Sequence, residues 1–195
     1  MRQSAPNTFL LSRSGMGLWL ALGASLLGVS LAAMVYLLPH SPAASVAMIG
    51  APSPDFQLEQ ASGGQVSLGG YSGKRVLLCF VNTQSDPTGR VGNPSRGQVV
   101  FLASMARQYD VKVVLVDATS ASGAADQPDL AAIALTWHLD GMPLLEDPSG
   151  AVGRQYGLRE TPTTFLIRAD GRLAARWEGF VPAQVLAGAL TGTGR

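Results

Sequence analysis

The chain has 195 residues and a formal net charge of +1, and 14% of its residues are charged. With no run of Lys/Arg interleaved with aromatics, near-neutrality excludes a general electrostatic affinity for nucleic acid. A charged fraction well below the roughly 25% of an average soluble domain implies an uncharged stretch that dilutes it. One cysteine excludes an intrachain disulfide and any multi-cysteine metal or iron–sulfur centre, and two histidines, His40 and His138, exclude a histidine-rich cluster.

The length suggests one ordinary domain with an appendage. Residues 1–14 are polar, carry Arg2 and Arg13, and contain no acidic residue. Residues 15–38 carry no charge at all. As a helix with a rise of about 1.5 Å per residue they would extend about 36 Å, enough to cross a hydrocarbon core of roughly 30 Å. Trp19 and Tyr36 fall near the two ends, where amphipathic rings favour the interface. We therefore read 15–38 as a transmembrane signal anchor, 1–14 as a cytoplasmic N-terminal segment, and the C-terminal portion as translocated. The alternative is a signal peptide cleaved at the small residues Ser45-Val46-Ala47, but the apolar run exceeds the usual ~7–15-residue core of such a peptide. Residues 39–48 are rich in Pro, Ala and Ser and read as a linker.

The folded domain is expected over residues 49–190, with a frayed tail at 191–195. Asp55 to Leu58 and Gln65 to Leu68 alternate apolar and polar residues around Ser62-Gly63-Gly64, which predicts a hairpin. Arg75 to Asn82 is near-continuously apolar, as in a strand buried on both faces. Asn93 to Gln108 reads as a helix capped by Ser95 with Gln98 three residues on, and with Val99, Leu102, Met105 and Ala106 on one face. Val111 to Val116 is a further strand. Pro128 to Leu139 reads as a helix capped by Asp126, with a stripe of Leu130, Ile133 and Trp137. Pro143 to Leu145 is a short strand, and Asp147-Pro148 opens a brief helix ending at Gly157. Thr163 to Ile167 and Leu173 to Trp177 flank Asp170-Gly171, a strong hairpin signal, and Pro182 to Leu190 is a terminal helix. Strands and helices alternate, then a hairpin and a helix close the chain. The implied class is α/β, with a mixed sheet and helices on both faces.

Four stretches carry a resemblance in chain order: Gly50-Ala51-Pro52-Ser53-Pro54-Asp55-Phe56, the strand Val76 to Val81, Asp147-Pro148-Ser149-Gly150 with Tyr156-Gly157-Leu158, and Thr161-Pro162-Thr163-Thr164-Phe165-Leu166-Ile167 with Asp170-Gly171. Together they resemble the membrane-anchored, extracytoplasmic thioredoxin-like proteins of bacteria, the TlpA, ResA and redoxin group with its AhpC/TSA-like relatives. The resemblance covers about Ile49 to Leu190. It implies a thioredoxin-like three-layer α/β/α sandwich with a mixed central sheet, preceded here by one N-terminal transmembrane helix. It also implies a cis peptide bond at Thr161–Pro162, facing the redox loop.

Where that family carries Phe-Trp-Ala-x-Trp-Cys-x-x-Cys, this chain reads Phe80-Val81-Asn82-Thr83-Gln84-Ser85-Asp86-Pro87-Thr88. Anchoring on Phe80 puts Ser85 and Thr88 at the two cysteine positions. Disulfide exchange requires a thiolate, which a hydroxyl cannot replace, and one cysteine leaves no resolving partner within the chain. Cys79 is the only redox candidate. It shares one strand face with Leu77 and Val81, and an ordinary core thiol is the simpler reading. A serine hydrolase would need Ser85 beside His138, the only histidine of the domain, and nothing in the sequence brings them together. Asp86, Asp117, Glu146 and Asp147 could bind a hard cation but read more simply as solvated or capping residues.

The expected protein is thus a single-pass membrane protein with a periplasmic or otherwise extracytoplasmic domain. That domain acts as a partner-binding or assembly module for a redox or maturation pathway. Its binding face is the degenerate active-site surface of Ser85, Asp86, Pro87, Thr88, Thr161 and Pro162. The alternative is a thiol-disulfide oxidoreductase acting through Cys79 or through a partner's thiols. No cofactor, metal or nucleic acid is implied; the expected partners are the membrane and a protein in the extracytoplasmic space.

Overall fold

The computed structural model describes residues 47–84, 93–119 and 129–192. Residues 1–46, including the apolar stretch at 15–38, lie outside them, as do Ser85 to Thr88, Asp126 and Pro128. Among the described residues no helix is long and apolar enough to cross a membrane.

Seven strands form one mixed sheet among the described residues. They are β1 (Gln57–Gln60), β2 (Gln65–Ser67), β3 (Val76–Val81), β4 (Lys112–Asp117), β5 (Leu144–Glu146), β6 (Thr163–Ile167) and β7 (Leu173–Glu178), in the spatial order β2-β1-β5-β4-β3-β6-β7. β3, β4 and β5 are parallel, while β6 runs antiparallel to β3 and β7 to β6. The helices are α1 (Pro94–Gln108), α2 (Leu130–Thr136), α3 (Ala151–Gln155) and α4 (Ala183–Gly192). The terminal helix therefore runs two residues beyond Leu190.

Every residue of β3 is buried, which explains its unbroken apolar composition. Its alternation divides the core as the strand period requires. Leu77, Cys79 and Val81 pack with Val99, Leu102 and Met105 of α1 and with Leu186 and Leu190 of α4. Val76, Leu78 and Phe80 face the opposite side, with Val152 and Tyr156. That second side is aromatic. Tyr156 lies with its ring centroid 5.4 Å from Phe80 and 5.1 Å from Phe165, in tilted and edge-on arrangements that add to simple burial. The Tyr156 hydroxyl donates to the Pro54 carbonyl at 2.7 Å and so holds the N-terminal segment of the domain against this layer. At the other end of the chain, the Arg75 guanidinium donates to the carbonyl of Leu190 at 2.6 Å, near the end of α4.

Two helix caps differ from the sequence expectation. Asn93, not Ser95, caps α1, its Oδ1 accepting from the N–H groups of Ser95 and Arg96. Pro94 explains the shift: a proline fits the first helical position, where its missing N–H costs nothing. Asp129, rather than Asp126, caps α2, accepting from the N–H groups of Ala131 and Ala132. In both places several polar residues precede the helix, and propensity alone does not choose among them.

Candidate functional site

At the carboxyl end of β3 the apolar strand gives way to Asn82, Thr83 and Gln84, beside the end of β4 at Asp117, Ala118 and Thr119. Val81 pairs with Asp117 in the parallel ladder, so the two polar strand ends lie side by side. Oδ1 of Asp117 accepts from the Thr119 hydroxyl at 2.6 Å, the Thr83 hydroxyl at 2.9 Å and the Thr83 N–H at 3.2 Å. Thr83 and Thr119 are fully buried and Asp117 is 2% exposed. Burial raises the carboxyl pKa of Asp117 above its ordinary value, while the hydroxyl and N–H donors of Thr119 and Thr83 pull it back. The Ser95 hydroxyl, in the first turn of α1, accepts from the Asn82 N–H at 3.0 Å and ties the strand end to the helix. Asn82 in turn accepts from the Gln84 N–H through Oδ1. The entrance to the Ser85–Thr88 segment is thus anchored on both sides, while Ser85, Asp86, Pro87 and Thr88 themselves lie outside the described residues.

β6 begins beside this point, because Thr163 pairs with Phe80 across the antiparallel ladder. The Thr161–Pro162 peptide bond is cis. Pro162 is buried and Thr161 half-buried. The bend is secured by the Thr163 hydroxyl, which donates to the Glu160 carbonyl at 2.7 Å. It is also secured by Arg176, whose guanidinium donates to the Gly157 carbonyl at 2.8 Å, pairs with Glu178 and lies over the Phe165 ring. On the adjoining surface Gln98, fully buried on α1, accepts from the Val181 N–H through Oε1 at 2.6 Å. This fixes the connection from β7 to α4, where the Phe180 ring packs edge-on against Phe101.

Cys79 lies one pair of residues below this end, with no exposed surface. The Thr164 hydroxyl donates to its sulfur at 3.4 Å. Burial dominates over that hydrogen bond and pushes the thiol up to about 12. The remaining sequence candidates do not gather here. The Asp147 carboxylate accepts from the Gly153 N–H at 2.9 Å inside the turn that starts α3, and Glu146 is exposed at the end of β5. His138 terminates α2, and its connection to β5 lies toward the end of the sheet where the parallel strands begin, opposite Thr83. Among the described residues no three His, Cys, Asp or Glu side chains form a metal-holding group.

The carboxylate between two threonines is not evident from the sequence, though a signal exists. Val81-Asn82-Thr83 and Val116-Asp117-Ala118-Thr119 both end an apolar strand on a threonine. Only their parallel pairing makes that repetition meaningful. Gln98 likewise interrupts the apolar face of α1 without an exposed role, which is a mark of a buried polar tie.

Comparison with known proteins accords with this geometry. The model of the AhpC/TSA family matches residues 49–176. Thiol-disulfide oxidoreductase ResA of Bacillus thuringiensis subsp. konkukian is 26% identical over 132 residues, covering 67% of this chain and 70% of the relative. Among solved structures, a putative thiol:disulfide interchange protein DsbE from Chlorobium tepidum superposes with a TM-score of 0.59 at 24% identity, over 75% of this chain and 97% of its own. The exposed lipoprotein thioredoxin of Streptococcus pneumoniae gives 0.60 at 24% identity, over 71% and 99%. At these identities the structural likeness is one of fold: a thioredoxin-like α/β fold with a mixed sheet.

Proposed function

The chain belongs to the AhpC/TSA family, a thioredoxin-like redoxin family that includes thiol-disulfide oxidoreductases, and on that premise we propose that it is a membrane-anchored, extracytoplasmic member that binds a protein partner instead of exchanging disulfides. The observation that carries this reading is the state of the only thiol. Cys79 is fully buried within β3, and with its pKa near 12 the reactive thiolate is scarce at neutral pH. No second cysteine exists to resolve a mixed disulfide. The surroundings of a redox loop are nonetheless retained. The cis Thr161–Pro162 bend, secured by Thr163 and Arg176, stands beside the anchored end of β3.

An extended segment of a partner can pair with the backbone of half-buried Thr161, as peptides do when they add a strand to an open edge. The sequence expectation adds Ser85, Asp86, Pro87 and Thr88 to this binding face; they lie outside the described residues. The anchor rests on residues 15–38 and the positive residues before them, and the extracytoplasmic side on the same charge asymmetry. The exposed lipoprotein among the structural relatives accords with that placement.

Three measurements test the reading. Insulin reduction by the wild type should stay at background, while a Ser85→Cys/Thr88→Cys double variant gains activity; turnover by the wild type would overturn the proposal. Alkylation of Cys79 should proceed only after denaturation, and fast reaction of the folded protein would restore the oxidoreductase alternative. Cross-linking in intact cells should capture a partner whose yield falls in Thr161→Arg, and capture indifferent to that substitution would move binding to another face. Fractionation with protease protection reads the anchor separately.

A further inference from the structure

Four observations converge on the last turn of α2 and its connection to β5, residues 135–142. A cavity of about 780 Å³ opens between this connection and the β1–β2 hairpin, lined on one side by Leu135, His138 and Met142 and on the other by Gln60, Ser62 and Tyr71. Leu135 on this lining is 78% exposed, more than any other large apolar side chain among the described residues. His138 is the only non-glycine among them with a positive φ, at +55°. A helix usually ends at such a position on glycine, which has no Cβ to clash. A second cavity of about 340 Å³ shares His138, Asp140 and Met142 as its wall. The connection therefore presents side chains to open space on two sides, at the end of the sheet remote from Thr161 and Pro162.

We propose that the larger cavity is a binding site for a small organic cation with an apolar body. Its volume falls within the roughly 300–1,000 Å³ of small-molecule sites. Ala131, Ala134 and Leu139 continue the apolar wall begun by Leu135, a surface that gains by covering a hydrophobic body. The opposite wall carries a side-chain amide, a hydroxyl and the Tyr71 phenol, which can orient polar substituents. Asp140 supplies the carboxylate of the lining, and among the described residues no lysine or arginine lines this cavity, Arg107 lying on the smaller cavity across the shared wall, so the larger cavity favours an amine over a carboxylate ligand. His138, held in a left-handed backbone conformation, and Asp140 both line the shared wall, where a glycine at position 138 would leave the cavity without an imidazole. The site is independent of the proposed partner-binding face.

The test titrates the full-length chain, held in nanodiscs of zwitterionic lipid, with three matched probes: 2-phenylethylamine, 2-phenylethanol and phenylacetate. The readout is the imidazole signal of His138, distinguished from that of His40 by a His138→Gln variant. The amine should shift the signal saturably and bind about fivefold tighter than phenylacetate, the preference expected of one exposed carboxylate. Asp140→Asn should abolish the preference while leaving the amide spectrum of the fold intact. Leu135→Asp should weaken the neutral alcohol. Linear, unsaturated shifts with all three probes would overturn the site, and an amine preference surviving in Asp140→Asn would overturn its chemistry.

Discussion

The two ends of the central sheet use polar residues in opposite ways. Where β3 and β4 stop, Thr83, Asp117 and Thr119 are buried and bonded to one another, and Ser95 and Asn82 extend the tie to α1. Where β5 begins, His138 and Asp140 are exposed, Leu135 stands in solvent, and open volume adjoins them. The first arrangement holds backbone in place, since a satisfied polar cluster in a low-dielectric setting tolerates few alternative geometries. The second presents unspent side chains. In a thioredoxin-like domain with one cysteine, the anchored end is closed by its own hydrogen bonds, while the open end leaves its side chains exposed.

This contrast can be broken by mutation, and the greatest effect belongs to the anchored end. Asp117→Ala removes the acceptor shared by two buried hydroxyls, leaving them their contact with each other and the Thr83 N–H its bond to Thr119 Oγ1, and should cost roughly 1–3 kcal/mol in chemical denaturation. A loss below about 0.5 kcal/mol would show that the cluster contributes no order. Thr83→Val keeps the shape, removes one donor, and should cost about 1 kcal/mol by the same measurement.

The titration of Asp117 sharpens the comparison further. Its folded pKa is raised by burial above the ordinary 3.8, so the folded state holds the proton more tightly than the unfolded chain does. That contribution is fully present below 3.8 and is lost as pH rises through the folded pKa. The stability difference between wild type and Asp117→Asn should therefore be most favourable to the wild type at acid pH and shrink from there upward. A difference that grows with pH would mean that the three donors outweigh burial and stabilise the anion.

At the open end the effects are small. His138→Gly relieves a left-handed conformation but adds freedom to the unfolded chain, and the net gain should be about 0.5–1 kcal/mol in thermal unfolding. A loss instead would show that the imidazole already makes a stabilising contact. Leu135→Ser should change stability by less than about 0.5 kcal/mol, because so exposed a side chain has little burial to lose.

Much of the fold is legible in the order of residues. The unbroken apolar run at Val76 to Val81, the alternation around Gly63-Gly64 and the Asp170-Gly171 turn each map to elements through local rules. The faces of Cys79 and Phe80 follow from the period of two. The caps at Asn93 and Asp129 are harder to foresee because Ser95 and Asp126 satisfy the same local rule; only the actual path of the chain selects one acceptor. The site is less legible. Asp117 reads as a strand-end acid, and nothing nearby in sequence announces that Thr83 and Thr119 close on it.

What the sequence determines by itself is inventory and period: one thiol, no dithiol, an uncharged stretch at 15–38, and which side chains share a strand face. These depend only on residue identity and backbone geometry. Depth and proximity were decided by tertiary structure. Cys79 is buried because α1, α4 and the flanking strands exclude water from it, and charge on sulfur is costly there. Thr83 and Asp117 meet because β3 and β4 run parallel in one register, and the cavity beside His138 exists because β1, distant in sequence, pairs with β5 and brings Gln60 and Ser62 to its wall. Each is a long-range contact, set by packing across residues that no local pattern links.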